Sequence, residues 1–454
     1  MTAMTVRLHP VSPLTSEEIR TTSTLIRSHH THDARYIFKT ITPPEPEKQQ
    51  VMSYLDAESR GLTLPPIDRG AFVNYYIGST GSLFEAVVNL TQSSVERHEA
   101  LGARMHGSVD FEEAEEVEKI VLNDPSVHRE ITRRKGLMVS TMNPASSSAT
   151  CFSAREGPVL YNVQYDNRSL FYRVSLSEMS IPYADPRHPY HKKTAFDLGD
   201  LGAGVTANNL QLGSRELVLQ TIMTVSNYEY ILAFILTQAG DLTYEVRATG
   251  ILSTQYIHPD ANANRGTVVH PRVLAAHHQH IFSLRIDPMI DGFNNTVMYG
   301  EAVAIPRSEA NPHGTGYYET QQVVQVSGGF DLDISKNRVF KIVNNTVRNA
   351  INKEPVGYKI MVPDFQKLLA DTESFHYRRV EFADHNIYVT KYRPQELYAG
   401  GQYTNQSGGG HGVRSWAARS ENVENEDIVV WVQFGINHIP RIEDFPVMPC
   451  EKIQ

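Results

Sequence analysis

Residues 217–236 read LVLQTIMTVSNYEYILAFIL, an apolar stretch rich in β-branched and aromatic side chains that we predict to be a β-strand. Shorter runs of the same kind recur from residue 159 to the end of the chain, separated by Gly, Asn, Asp and Pro. Long helical periodicity is scarce there, and residues 363–369 are the main stretch for which we predict a helix. Many short strands without alternating helices indicate an antiparallel β-sandwich or barrel. We predict further strands at residues 159–165, 171–176, 242–252, 280–286, 317–326 and 428–434.

The N-terminal part of the chain has a mixed pattern. Thr15 and Glu18 form a capping box that predicts a helix over residues 14–30, and Asp110 is predicted to begin a second helix. We therefore predict an α+β fold in which small α+β domains precede a large antiparallel β-sandwich. The predicted units are a small α+β domain over residues 1–95, a partial second α+β domain over 96–142, a junction over 143–154 and the β-sandwich domain over 155–454.

Composition limits the classes of function. The 51 acidic and 42 basic residues give a formal charge of −9, which disfavours a broad nucleic-acid surface. Two cysteines, Cys151 and Cys450, are too few for a disulfide framework. The first residues hold no apolar stretch typical of a signal peptide, and the most apolar run, residues 230–236, is too short to cross a bilayer. We predict an intracellular protein with neither nucleic-acid nor membrane partners.

A histidine pair is the sharpest local feature of the chain. In an extended strand, residues two apart face the same way, so His278 and His280 present both imidazoles to one point. Copper, zinc and iron all accept imidazole ligands. The pair alone is also typical of two hydrogen-bonded polar side chains in a sheet, so a third ligand is needed. His438, at the end of a strongly β run, is the best candidate.

Other polar motifs are ambiguous when each is taken alone. Residues 226–230, Ser-Asn-Tyr-Glu-Tyr, indicate only a strand with aromatic side chains, and residues 196–202, FDLGDLG, are typical of a turn. Residues 29–32, His-His-Thr-His, are interpreted as the solvated last turn of a helix.

Taken together and in order, three of these motifs resemble the copper amine oxidase family. They are Asn-Tyr-Glu-Tyr at residues 227–230, His-Gln-His at 278–280 and NHIPRIEDFPVMP at 437–449. Further matching stretches include VLYNVQYDNRSLFYRVSLSE at 159–178, RIDPMIDG at 285–292 and QELYAGGQYTNQS at 395–407. The resemblance covers nearly the whole chain, and a non-haem iron site built on the histidine pair would leave the Asn-Tyr-Glu-Tyr match unexplained.

The resemblance implies a reaction and a set of roles. Members of this family oxidise a primary amine with O2 to an aldehyde, releasing ammonia and hydrogen peroxide, and they use Cu(II) and a topaquinone made from their own tyrosine. By position, Asn227 precedes the topaquinone precursor Tyr228, Asp197 matches the catalytic base, and Tyr183 matches the tyrosine that hydrogen-bonds the quinone. The matched copper ligands are His278, His280 and His438.

The resemblance also implies a peripheral site and an assembly. Asp287 and Asp427 match the acids of a second cation site for calcium or manganese, although two surface turn acids are an equally good interpretation. The family is dimeric, so a homodimer is expected. The location of this protein is expected to be cytoplasmic or peroxisomal.

Three departures from the family pattern support an alternative. The chain passes from about Met142 directly to about Arg155, Gly213-Ser214 joins two family segments that normally flank an insert, and the sequence ends soon after residues 448–449. In addition, Asp200 stands where the family has Glu. A missing sheet segment would expose strand edges and apolar surface. The alternative is therefore a catalytically inactive, shortened relative that acts at most as an interaction protein.

Overall fold

The computed structural model of the protein describes twelve stretches of the chain. The predicted helix at Asp110 and the predicted base Asp197 lie outside them. No helix in the described stretches is long and apolar enough to cross a membrane. The described residues are 9–30, 35–78, 81–103, 105–108, 152–153, 156–165, 168–183, 194–195, 204–212, 216–237, 240–362 and 365–453.

The N-terminal domain is an antiparallel sheet with two helices. Its elements follow in the order α1 (Ser16–His29), β1 (Tyr36–Thr42), α2 (Lys48–Ser59), β2 (Gly70–Ile77), β3 (Leu83–Asn89) and β4 (Ser94–Ala100), with the strands arranged β1-β2-β3-β4. The predicted capping box is present, because Thr15 N–H donates to Glu18 at 2.7 Å and Glu18 N–H donates to the Thr15 hydroxyl at 3.2 Å.

The first domain extends further than we predicted. Strand β4 pairs with β3 along its length, so the boundary predicted at residue 95 falls inside a strand of the sheet. Because β4 lies at the edge of the sheet and none of its residues is buried, its sequence lacks the apolar run on which the prediction relied. The core of this domain packs Ile26 of α1 against buried residues of the sheet, including Val73 and Ala86.

In the described residues from Phe152 onward, strands make up most of the regular secondary structure, as the sequence predicted. Among these described residues the helical segments are two α-helices, α3 (Phe375–Arg379) and α4 (Val413–Ala417), and two 3-10 turns, Ile334–Lys336 and Ile442–Asp444. The strands are β5 (Phe152–Ser153), β6 (Gly157–Tyr165), β7 (Arg168–Pro182), β8 (Thr194–Ala195), β9 (Gly204–Leu212), β10 (Glu216–Val225), β11 (Tyr228–Thr237), β12 (Leu242–Ile251), β13 (Thr254–Tyr256), β14 (Gly266–His270), β15 (Val273–Ala276), β16 (His278–Pro288), β17 (Thr296–Ala304), β18 (Tyr317–Val323), β19 (Gly328–Phe330), β20 (Val339–Arg348), β21 (Pro355–Lys359), β22 (Ile387–Lys391), β23 (Ile428–His438) and β24 (Val447–Ile453).

Two of the sheets form the β-sandwich. Among the described residues, one sheet has the order β24-β12-β11-β10-β9, and the other has the order β19-β22-β23-β16-β7-β6-β5 with β8 paired to β7. Their inner faces share one hydrophobic core, in which Tyr230 of β11 packs edge-on against Phe282 of β16, and Phe282 stacks on Phe434 of β23. Each fully buried aromatic side chain of this kind stabilises the fold by about 1.5–3 kcal/mol. The predicted fold class, α+β with a large antiparallel β-sandwich, is therefore confirmed.

Residues 217–236 form a hairpin and not the single strand that we predicted. Strands β10 and β11 pair along their whole length, from Glu216 opposite Thr237 to Val225 opposite Tyr228. Ser226 and Asn227 make the two-residue turn between them. Ser226 adopts a φ of 54°, which reverses the chain within a continuous run of strand-forming residues. The correction matters for function because it places Tyr228 at the first position of a strand.

The helix predicted at residues 363–369 is also wrong, since residues 365–369 form no helix. The Gln279 side chain donates to the Lys367 carbonyl at 3.1 Å and accepts from the Leu369 N–H at 3.0 Å. Leu368 N–H donates to the Ala383 carbonyl at 2.9 Å. These tertiary hydrogen bonds use the backbone groups that a helix would have paired internally.

Candidate metal centre

Strand pairing brings the three candidate histidines together. Strands β16 and β23 are antiparallel, and their register sets His278 directly opposite His438. His280 lies two residues further along β16 and therefore on the same face. All three side chains are buried, and their ligand atoms lie within 4.8 Å of one another.

Hydrogen bonds indicate which ring nitrogen of each histidine faces the centre. His278 Nδ1 lies 2.9 Å from the Ala276 carbonyl, to which it donates, and this leaves Nε2 as the deprotonated nitrogen. His438 Nε2 lies 3.2 Å from Asp444 Oδ2, which leaves Nδ1 turned toward His278 Nε2 at 3.3 Å. His280 Nδ1 lies 2.9 Å from the Tyr230 hydroxyl. The nitrogens that face the centre are therefore Nε2 of His278, Nε2 of His280 and Nδ1 of His438.

The environment of His280 suits a metal. Its Nε2 is buried and has no hydrogen-bond partner within the described parts of the chain. Burial, followed by the neighbouring His278 and His438 rings, holds the pKa of His280 well below 6.5, so the ring is neutral at neutral pH. An unsatisfied buried nitrogen costs about 1–3 kcal/mol, and coordination of a metal removes that cost. Three imidazoles are a ligand set that copper accepts.

Tyr228 lies against this cluster. Its side chain is buried, and its hydroxyl is 3.1 Å from His278 Nε2. Its ring centroid is 5.4 Å from that of His280. The phenol is therefore adjacent to the position that a metal bound by the three histidines would occupy.

The backbone around Tyr228 is fixed by the neighbouring strand β12. Asn227 donates from its side chain to the Ile251 carbonyl, and Ile251 N–H donates back to the Asn227 carbonyl at 2.7 Å. Gly250 has a φ of 115°, and a Cβ there would lie 2.7 Å from both the Asn227 oxygen and the Tyr228 Cα. Only glycine allows this close approach. Gly250 is thus a positioning residue for Tyr228.

We expect Gly250→Ala to slow metal-dependent oxidation of Tyr228. The added methyl group strains the backbone by about 1–2 kcal/mol and moves the turn before Tyr228 away from strand β12. The measurement is the rate at which visible absorbance appears after copper is added to metal-free protein. Gly292→Ala is the matched control, since Gly292 has a φ of 128° but open space around its Cβ position. Equal rates in the two variants would contradict a positioning role for Gly250.

The remaining predicted residues fall in three places. Tyr183 pairs with His278 in an isolated β-bridge, and its ring stacks on the His278 ring at 4.9 Å, beside the centre. Asp197 lies outside the described residues. Asp287 and Asp427 lie together at the other end of β16. Asp287 is nine residues from His278 along this strand, which corresponds to about 30 Å at the usual rise per residue. The ammonium of Lys48 lies between these two acids and contacts both of them.

Two residues of the site were missed in the sequence analysis. Tyr230 contacts His280, and it faces the site because it lies two residues after Tyr228 on the same strand. Asp444 contacts His438, and it belongs to the matched stretch at residues 437–449. Burial acts to raise the pKa of Asp444, but hydrogen bonds from Arg441 and His438 outweigh burial and lower the pKa. This carboxylate is therefore ionised and orients the His438 ring.

Replacement of Asp444 by asparagine should lower copper affinity by about 10–100-fold, the usual effect of losing a carboxylate that orients a metal-bound histidine. Competition with a chelator of known affinity measures the change. Glu443→Gln serves as the control, because Glu443 is the exposed neighbouring acid and has no contact with a histidine of the cluster. If both variants bind copper as tightly as the parent protein, the orienting role is disproved.

Comparisons with known proteins support one family. The family described as copper amine oxidase, enzyme domain, matches residues 147–215 and 213–454, and the copper amine oxidase N2 domain matches residues 9–101. Copper amine oxidase 1 of Aspergillus niger is 42% identical over 358 residues, which cover 67% of this chain and 53% of that protein. The peroxisomal primary amine oxidase of Pichia angusta is 33% identical over 370 residues, which cover 66% of this chain and 54% of that protein.

A solved structure agrees with these sequence matches. A copper-containing benzylamine oxidase from Hansenula polymorpha superposes with a TM-score of 0.88 at 30% identity, covering 98% of this chain and 97% of that one. The chain spans about half the length of the curated relatives it matches. The matched domains, their order and the shared fold establish that this chain belongs to the copper amine oxidase family.

Proposed function

We propose that this chain carries the catalytic centre of a copper-dependent primary-amine oxidase. The observation that carries the proposal is the convergence of three buried imidazoles with the Tyr228 hydroxyl at 3.1 Å from His278 Nε2. In the proposed reaction, a primary amine, O2 and water give an aldehyde, ammonia and hydrogen peroxide. The names of the relatives, which include primary amine oxidases, support the same reaction class.

The proposed copper ligands are His278 and His280 through Nε2 and His438 through Nδ1. Bound copper with O2 would supply the oxidation of the Tyr228 ring to topaquinone, which in turn would accept the two electrons removed from the amine. Tyr230 and Asp444 hold two of the imidazoles in orientation through the nitrogens that face away from the metal.

Three further residues have proposed roles around the oxidised ring. Asp197 would remove the proton from the carbon next to the amine nitrogen, as a general base. Tyr183, which stacks on His278, would donate a hydrogen bond to an oxygen of the ring. Asn227 would hold the turn before Tyr228 through its hydrogen bond to Ile251.

The proposal is tested on purified protein loaded with copper. We expect about one copper per chain, a visible absorption band, a coloured adduct with phenylhydrazine, and a peptide at residue 228 heavier than unmodified tyrosine. Amine turnover is measured as hydrogen peroxide and aldehyde. A colourless protein that holds copper but keeps an unmodified tyrosine at residue 228 would contradict the proposal.

The second candidate is the inactive, shortened relative. It is favoured by one observation: the family matches the chain in two segments that meet at residues 213–215, where two family segments are joined directly. A chain in which the missing family segment is inserted at this junction separates the candidates. Quinone and turnover that appear only in the lengthened chain would support the inactive relative, whereas equal activity in both would support an oxidase.

We also propose that the whole protein is a homodimer located in peroxisomes. Strand β18 lies at the edge of a sheet outside the sandwich, and Tyr317 and Tyr318 are 73% and 52% exposed there, which is typical of a surface that another subunit covers. The relatives from Pichia angusta and Nicotiana tabacum are named as peroxisomal enzymes, which supports the proposed location.

A further inference from the structure

Lys48 lies between the two acids that match the family's peripheral cation site. Its Nζ donates to Asp287 Oδ1 at 2.7 Å and to Asp427 Oδ1 at 2.7 Å. Lys48 is only 5% exposed, and the Asp287 side chain is completely buried. An ammonium so placed occupies the position between the carboxylates that a divalent cation would need.

The walls around this ammonium are aromatic. Its Nζ lies 4.2 Å from the ring centroid of Tyr392, 4.6 Å from that of Phe293 and 4.9 Å from that of Tyr172. Aromatic faces attract ammonium groups at these distances. Calcium takes six to eight oxygen ligands, and manganese also prefers carboxylates, carbonyls and water. The three rings therefore fit a lysine better than either metal.

The charges of the pocket balance without a metal. Two cations, Lys48 and Arg285, face two anions, Asp287 and Asp427, and Arg285 Nη2 lies 3.5 Å from Asp287 Oδ2. Burial raises the pKa of Asp287, while Arg285 and Lys48 oppose that rise. A divalent cation added to this arrangement would leave excess positive charge in a buried place, which is unfavourable.

The lysine and the acids belong to different domains. Lys48 is the first residue of α2 in the N-terminal domain, Asp287 lies in β16, and Asp427 immediately precedes β23. Val51, one turn further along α2, packs in a buried cluster with Tyr172 and Met289. The ammonium therefore lies at the contact between the N-terminal domain and the sandwich.

We infer that Lys48 is the resident cation of this peripheral site, where its ammonium replaces the divalent ion and fastens the N-terminal domain to the β-sandwich. The inference is independent of the proposed oxidase activity, because it concerns a pocket far from the three histidines. It proposes a different occupant from the calcium or manganese that the resemblance implied at Asp287 and Asp427.

The test compares the parent protein with Lys48→Met, which removes the ammonium and keeps an unbranched apolar stem. We expect the melting temperature of the parent to be the same in millimolar CaCl2 and in EDTA. Lys48→Met should melt about 5–10 °C lower, because it removes a cation that contacts both the buried Asp287 and the partly buried Asp427. Calcium should restore much of that loss, and Mn²⁺ should bind to this variant with the electron paramagnetic resonance signal of a protein-bound ion.

Two further variants make the result decisive. Lys48→Met combined with Asp427→Asn should lose the response to calcium, because one ligand of the created site is gone. Asp427→Asn alone, whose side chain is partly exposed, should fold and remain insensitive to calcium. The inference is overturned if the parent binds Mn²⁺ at this site and Asp427→Asn abolishes that binding, or if Lys48→Met melts like the parent and ignores calcium.

Discussion

Replacement of Tyr228 by phenylalanine is expected to give a protein that binds copper but never forms the quinone, with amine turnover at background. The change removes the only oxygen on the ring that would be oxidised. The three histidines keep their ring partners Ala276, Tyr230 and Asp444. The measurements are copper content, visible absorbance, reaction with phenylhydrazine and the mass of the peptide that carries residue 228.

Tyr230→Phe is the matched control for this experiment. Tyr230 is the neighbouring phenol on the same face of β11, and its hydroxyl contacts His280 where that of Tyr228 contacts His278. We expect this variant to form the quinone, with copper affinity lowered by no more than about 10–100-fold. Formation of quinone in Tyr228→Phe, or loss of quinone in copper-saturated Tyr230→Phe, would show that Tyr228 is not the precursor.

The second large effect is expected for Asp197→Asn, which should keep the quinone and slow amine turnover by about 10²–10⁴, the usual range for losing a general base. An amide has nearly the shape of the carboxylate but does not accept a proton at neutral pH. The assignment rests on the match of residues 196–199, Phe-Asp-Leu-Gly, to the family. Stopped-flow measurement of quinone reduction by the amine isolates this step from reoxidation by O2.

Asp200→Asn provides the comparison for Asp197. Asp200 is the next acid after Asp197 in the same segment and stands where the family has Glu. Its replacement by asparagine removes one negative charge, as Asp197→Asn does. We expect turnover to change much less than in Asp197→Asn, because charge alone does not transfer the proton. Unchanged turnover in Asp197→Asn, or an equal loss in both variants, would refute the assignment of the base to Asp197.

Local sequence predicted much of the secondary structure. Thr15 and Glu18 predicted the start of α1 because a capping box needs only residues within one turn. The alternation of His278 and His280 followed from the period of a strand, and the structure brings both rings to one point. Two of the errors have different causes. At residues 217–236 a two-residue turn lies inside a continuous run of strand-forming residues, whereas at residues 363–369 the backbone bonds to residues distant in the chain.

The sequence by itself determined the family, the fold class and the residue types of the centre, because those depend on ordered motifs and short-range periodicity. Only the tertiary structure decided that His278 faces His438, that Gly250 lies close against Tyr228, and which nitrogen of each imidazole faces the centre. It also placed Lys48 between Asp287 and Asp427. The physical reason is the same in each case. Contacts between strands and domains bring together groups far apart in the chain, and no local pattern of residues encodes such a pairing.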